Sequence, residues 1–199
     1  LLTSVQEPAT NTYHVLISTG PARLLPTIRS RCQRLNLATP TNEEGLRWLR
    51  KTRPAADPNS LDDVYAITGH KPISAQALFD SEQMTPRLAM VSALNEWIKG
   101  YCGPIETAKK LAAKESPSLP YELLYRAAAI AQRQRFLPQA TNQGVFQALI
   151  DELAGNWSAK ALSRLADACG KALSQSSASN NLNAELSLEH FLMTQREPI

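Results

Sequence analysis

The sequence predicts a mainly α-helical protein that opens with the remnant of an α/β layer. Three observations carry this prediction. Apolar residues recur at helical spacing from residue 39 onward, helix-start signals precede several of those stripes, and two runs of strand length lie before residue 38. The expected divisions are residues 1–38 for the α/β remnant, 39–84 for a bundle of three short helices and 85–199 for a larger helical domain.

The first division is expected to read helix end, strand, short helix, strand. Leu1 to Glu7 stops before Pro8, whose ring disfavours a helical residue at the preceding position. Tyr13 to Ser18 is rich in β-branched and aromatic residues and predicts a strand. After the Gly20-Pro21 breaker, Ala22 to Ile28 suits a helix, and the alternation in Gln33 to Leu37 suits a second strand. Two strands cannot cover both faces of an α/β layer, so the segment is expected to belong to a larger domain. The start Leu1-Leu2-Thr3-Ser4, without methionine or a basic and apolar leader, is expected of a truncated chain.

The second division opens with Thr41-Asn42-Glu43-Glu44, a capping box in which the Thr hydroxyl and the Glu carboxylate each satisfy a free backbone N–H. Ser60-Leu61-Asp62-Asp63 is expected to open a second helix and Pro72 a third. In the third division, stripes at Leu88, Val91, Leu94 and Ile98, at Tyr121, Leu124, Ala128 and Ala131, and from Val145 to Leu153 predict longer helices. Leu162, Leu165, Cys169 and Leu173 continue the pattern. Ser174 to Asn181 is expected to be a loop, and Asn183 to Gln195 a last amphipathic helix.

Composition excludes several classes. No apolar run approaches the length that spans a bilayer, and 21 basic residues interspersed with 18 acidic ones leave a net charge of only +3. The three cysteines lie far apart, so neither a zinc pair nor a disulfide framework is expected, and reduced cytoplasmic thiols are. His14, His70 and His190 have no metal-ligand spacing. Adjacent carboxylates at Glu43-Glu44 and Asp62-Asp63 point about 100° apart on a helix, so they read as first-turn acids that favour the helix dipole. No phosphate-binding loop, dinucleotide fingerprint or nucleophile elbow occurs, so the chain is expected to lack a catalytic site, a cofactor and a metal of its own.

Three segments carry a resemblance. Val15 to Cys32, VLISTGPARLLPTIRSRC, resembles the stretch from the sensor 1 strand to the Ser-Arg-Cys motif of bacterial clamp-loader subunits, AAA+ proteins of the DNA polymerase III assembly. The preceding LLTSVQEPATNT is similar to that family's "LLKxLEEPPxNT" segment, with Ser4, Val5, Gln6 and Ala9 as departures. Leu182 to Leu192 is similar to the "NxxLxLExLLL" helix that closes its collar domain.

The resemblance implies the order AAA+ core, three-helix lid, helical collar. It also implies that Arg31 is an arginine finger acting in trans on ATP held by a neighbouring subunit, with Ser30 and Cys32 positioning it. Asn183, Leu186, Leu188, Glu189 and Leu192 are implied as partner-binding residues of the collar. The implied partners are gamma/tau-type and delta-type subunits, the sliding clamp through the assembly, and primed DNA indirectly. Motor subunits of the family carry an arginine in a "GSxRxAL" sequence. The comparable stretch here, Gly69 to Leu78, has Lys71 instead, which favours a non-hydrolysing subunit. Two alternatives stay open: a fragment of the motor subunit, and a stand-alone helical module binding nucleic acid through Arg126, Arg133 and Arg135 near Tyr121, Tyr125 and Phe136.

Overall fold

The computed structural model describes residues 10–18, 20, 24–112, 116–136, 144–176 and 183–195. These fall into two units, Leu1–Pro40 and Thr41–Ile199. In the first, the described residues hold one four-residue helix, α1 (Pro26–Arg29), with Pro26 at its first turn. It starts at Pro26, because Leu25 keeps an extended ψ of 136° before the proline ring, and it ends one residue beyond the expected Ile28; Ala22 and Arg23 of the expected helix lie outside the described residues.

The two expected strands do not form. Tyr13 to Ser18 and Gln33 to Leu37 are described and belong to neither helix nor strand. A strand is a pairing between backbones, and among the described residues no backbone hydrogen bond joins either segment to another. Their apolar side chains point into solvent, with Tyr13 92% and Ile17 94% exposed. Val15, Ile17, Ile28, Leu35 and Leu37 instead border one cleft of about 980 Å³. The α/β layer expected here is therefore absent among the described residues. The helix end expected at Leu1 to Glu7 lies outside them.

Among the described residues the second unit is built of helices joined by short turns, with no strand. α2 (Asn42–Thr52), α3 (Pro58–Ile67) and α4 (Pro72–Phe79) pack against one another. The capping box of α2 is present: Glu44 N–H donates to Thr41 Oγ1 at 3.2 Å, and Thr41 N–H donates to Glu44 Oε2 at 2.8 Å. α3 begins earlier than Ser60 because Asp57 is a better start, its carboxylate accepting the Ser60 N–H at 2.9 Å while Pro58 supplies the first-turn φ. α4 opens at Pro72 as expected.

α5 (Met84–Ile98), α6 (Pro104–Ala112), α7 (Leu119–Gln134), α8 (Val145–Asn156), α9 (Ala159–Ser176) and α10 (Ala184–Gln195) complete the unit. α7 lies against α8 and α9, α5 against α8, and α10 against α6. The expected stripes face inward: Val91, Leu94, Leu124, Ala128, Phe146, Leu149, Leu162 and Leu165 are buried in one core that extends from Leu49 to Leu192. Each such Val, Leu or Phe side chain contributes about 1.5–3 kcal/mol by leaving water. The loop expected from Ser174 starts later, because α9 carries on through Ser176. The remainder of that stretch is outside the described residues.

Candidate functional site

The Ser30-Arg31-Cys32 segment follows directly on α1. A helix end leaves carbonyls without intrahelical partners, and the Thr27 carbonyl is one that this segment satisfies from its own side chains. Arg31 Nη1 donates to Thr27 O at 3.0 Å and Ser30 Oγ donates to the same oxygen at 3.2 Å. The Ser30 and Arg31 amides donate to the carbonyls of Pro26 and Ile28, closing the turn at 3.0 and 3.1 Å. Ser30 and Arg31 are exposed, while Cys32 is half-buried and reduced. One arm of the Arg31 fork thus anchors the side chain to the turn. The rest of the guanidinium, with five N–H donors in all, is left to meet an anion. Arg29 and Arg34 are exposed on either side.

The second group of expected site residues is divided by α10. Leu188 and Leu192 are buried, and Phe191 beside them meets Tyr121 of α7 edge-on with ring centroids 5.0 Å apart. These residues close the core. Asn183 caps the helix, its Oδ1 accepting the Glu185 N–H at 3.1 Å. Leu186 is 60% exposed and Glu189 half-buried, so this pair, with the exposed Met193, forms the outward face.

Lys71 is exposed at the start of α4, after Gly69 and His70, which both take left-handed backbone with φ of 71° and 59°. Burial is the main reason that the His70 imidazole titrates below its ordinary range, with the Arg133 charge adding to it. His70 also packs edge-on against Tyr65 at 5.2 Å between centroids.

Of the three arginines in and just after α7, Arg133 is exposed, and the other two meet backbone carbonyls. Arg126 donates to the Ile67 carbonyl at the end of α3. Arg135 donates to Ala154 O through Nε at 3.1 Å and Nη2 at 3.0 Å, and also to Trp157 O, at the end of α8. Two guanidinium groups therefore cap the carbonyl ends of neighbouring helices. Tyr121 is buried in the core, whereas Tyr125 is half-exposed and Phe136 exposed.

Asp63 holds a position that sequence reasoning missed. The sequence makes it a first-turn acid of its own helix. Instead its carboxylate accepts the Val145 N–H at 2.8 Å and the Phe146 N–H at 3.0 Å, capping α8 from 82 residues away. Burial outweighs these two hydrogen bonds and pushes its carboxyl pKa up. Gly144 makes the approach possible, since a Cβ there would sit 2.0 Å from Asp63 Oδ1. A signal was available: α8 starts at a glycine that offers no side-chain acceptor, so its cap had to come from elsewhere. Its neighbour Asp62 instead pairs with Arg50 at 2.9 Å.

Comparison with known proteins bears on the first of these regions. The family described as DNA polymerase III, delta subunit, matches residues 1–41, the stretch that contains Ser30-Arg31-Cys32. A DNA polymerase III subunit delta' from Pseudomonas aeruginosa is 32% identical over 125 residues, 63% of this chain and 37% of that protein. The chain is similar to DNA polymerase III delta-prime subunits. The delta-prime protein of Escherichia coli (strain K12) is 29% identical over 174 residues, covering 85% of this chain and 50% of the relative. That of Yersinia pestis is 34% identical over 100 residues, 48% of this chain and 29% of its own length. The chain thus spans half or less of the delta-prime relatives it matches.

Proposed function

We propose that this chain is part of a delta-prime-type subunit of a cytoplasmic bacterial DNA polymerase III clamp loader. In this reading the subunit does not hydrolyse ATP itself and helps load the sliding clamp onto primed DNA. Residues 1–38 are the end of its AAA+ core, 39–84 its lid and 85–199 its collar. Its partners are gamma/tau-type and delta-type subunits, with the clamp and primed DNA reached through the assembly. The collar contributes the lasting subunit contact through the outward face of α10, with Leu186 and Glu189 on it, while Leu188 and Leu192 hold that helix in place. Asn183 fixes where the helix begins.

The observation that carries the reading is the exposed Arg31, anchored by one arm to the Thr27 carbonyl within the segment matched by the family. Phosphoryl transfer builds negative charge on the γ-phosphate oxygens, and a guanidinium held in advance stabilises that charge without reorganising. Arg31 would supply it in trans to ATP on a neighbouring subunit, with Ser30 and Cys32 setting its turn. Fingers of this kind are worth about 10³ to 10⁵ in rate at one site. Sites elsewhere in the assembly keep turning over, so the loss in the whole complex is smaller.

In a reconstituted complex carrying the full-length subunit, Arg31→Ala is expected to leave assembly intact while lowering DNA-stimulated ATP hydrolysis and clamp loading. Normal loading by Arg31→Ala with a defective Arg29→Ala would move the finger two residues upstream. The Arg126 and Arg135 contacts to backbone carbonyls make the nucleic-acid module the weaker reading. Tight, salt-sensitive binding of single-stranded DNA by the chain alone would restore it.

A further inference from the structure

The turn between α5 and α6 gathers four reactive or charged side chains. Gly100, with φ 79°, reverses the chain, and the Tyr101 and Cys102 amides both donate to the Glu96 carbonyl, at 2.9 and 3.3 Å. Cys102 is thereby fixed just ahead of α6, its side chain turned inward and only 4% of the residue exposed. Glu106 and Lys110 follow at four-residue intervals, which brings all three side chains onto one stripe of the helix.

Lys110 Nζ lies 3.6 Å from Cys102 Sγ, 3.1 Å from Glu96 Oε2 and 3.2 Å from Glu106 Oε1. The Lys110 nitrogen thus touches both the sulfur and a carboxylate that can accept a proton. Lys110 is held there from two sides, yet its side chain remains 43% exposed. The thiol lies directly against this exposed lysine head, so displacement of the head opens the way to sulfur for a molecule the size of peroxide. No part of the proposed clamp-loading role uses this cluster.

We infer that Cys102 and Lys110 form a peroxide-dependent, reversible cross-link, an S–N bond that makes this turn an oxidative modification site. In the first step hydrogen peroxide oxidises the thiol by two electrons, R–SH + H2O2 giving R–SOH + H2O. In the second, the Lys110 ammonium first gives up one proton, through the Glu106 carboxylate to water, and the freed amine attacks the sulfenic sulfur. The S–N bond forms as the S–O bond breaks, and the hydroxyl leaves as water with a second proton from that nitrogen. Sulfenic acids condense with a thiol to a disulfide or with a backbone nitrogen to a sulfenamide, and here the amine at hand is that of Lys110. The distance of 3.6 Å is within reach of a flexible lysine stem. The product replaces a charged ammonium by a neutral link and releases Glu96 from its bridge to α6.

The test is mass spectrometry of the full chain carrying Cys32→Ser, after limited hydrogen peroxide and without reductant. Cys169 needs no replacement, because it is fully buried and burial pushes its thiol pKa up to about 12. The expected product is lighter by about 2 Da, yields a linked peptide joining the Cys102 and Lys110 segments, and reverts with dithiothreitol. Lys110→Arg keeps the charge and the Glu contacts but has no amine to condense, so it should fold and lose the cross-link. Stepwise gain of about 16 Da at Cys102 with no linked peptide, or an equally cross-linked Lys110→Arg, would overturn the inference.

Discussion

The first 40 residues and the remainder of the chain use apolar side chains in opposite ways. In the first unit Tyr13, Val15, Ile17, Leu35 and Leu37 are each more than 80% exposed, whereas in the second Leu49, Val64, Leu94, Leu124 and Phe146 are wholly buried. Hydrophobicity does not separate them; backbone hydrogen bonding does. A helix satisfies its N–H and C=O groups within one segment, so an amphipathic stretch needs only another apolar face to cover it. A strand-forming sequence needs a second backbone at its edge before its side chains acquire a common face to bury. Strand propensity without a partner leaves the segments as they are here.

Truncating apolar side chains in the two units gives the largest expected contrast. Phe146→Ala should cost about 3–5 kcal/mol, through lost transfer energy and the cavity left in the core. Ile17→Ala, at a side chain already in water, should stay within about 0.5 kcal/mol. Thermal or urea unfolding of both variants checks this. A comparable loss for Ile17→Ala would mean that its side chain is covered in solution.

A smaller effect tests whether the second unit is tied together by polar groups as well as by its core. Asp63→Ala leaves the Val145 and Phe146 amides without their acceptor, at a cost of about 1–3 kcal/mol. Hydrogen exchange should quicken at the first turn of α8 before it does in α9. Gly144→Ala should reproduce the effect, because the added methyl displaces the same carboxylate. Unchanged protection at those two amides in both variants would break the assignment of the cap.

The smallest effect is in pH dependence, where two carboxylates of the second unit oppose each other. Hydrogen bonds from the Thr41 backbone and hydroxyl hold the Glu44 pKa below 4.5. Its stabilisation is present above 4.5 and is lost as pH falls through the lower folded value. Burial raises the Asp63 pKa above 3.8, so its contribution is full below 3.8 and is lost as pH rises through the folded value. Melting temperatures of Glu44→Gln and Asp63→Asn, each referred to wild type across pH 3 to 7, should therefore diverge with opposite slopes. Parallel slopes would mean that Asp63 is stabilised as the anion.

Local chemistry determined much of this protein from the sequence alone. The Thr41-to-Glu44 capping box, the start at Pro72 and the inward stripes of α5, α7, α8 and α9 were all readable, because each depends on residues within a few positions of one another. The Ser30-Arg31-Cys32 motif was readable for the same reason, as a contiguous word. Tertiary structure alone decided the rest. Whether Tyr13 to Ser18 became a strand depended on a partner backbone, not on its own β propensity. That Asp63 caps α8, that Arg126 and Arg135 cap α3 and α8, and that Leu188 turns inward while Leu186 faces out depended on which helices became neighbours. Periodicity gives each helix an apolar face but does not say which other helix will cover it, and the polar groups at helix ends are satisfied by whatever that choice brings near them.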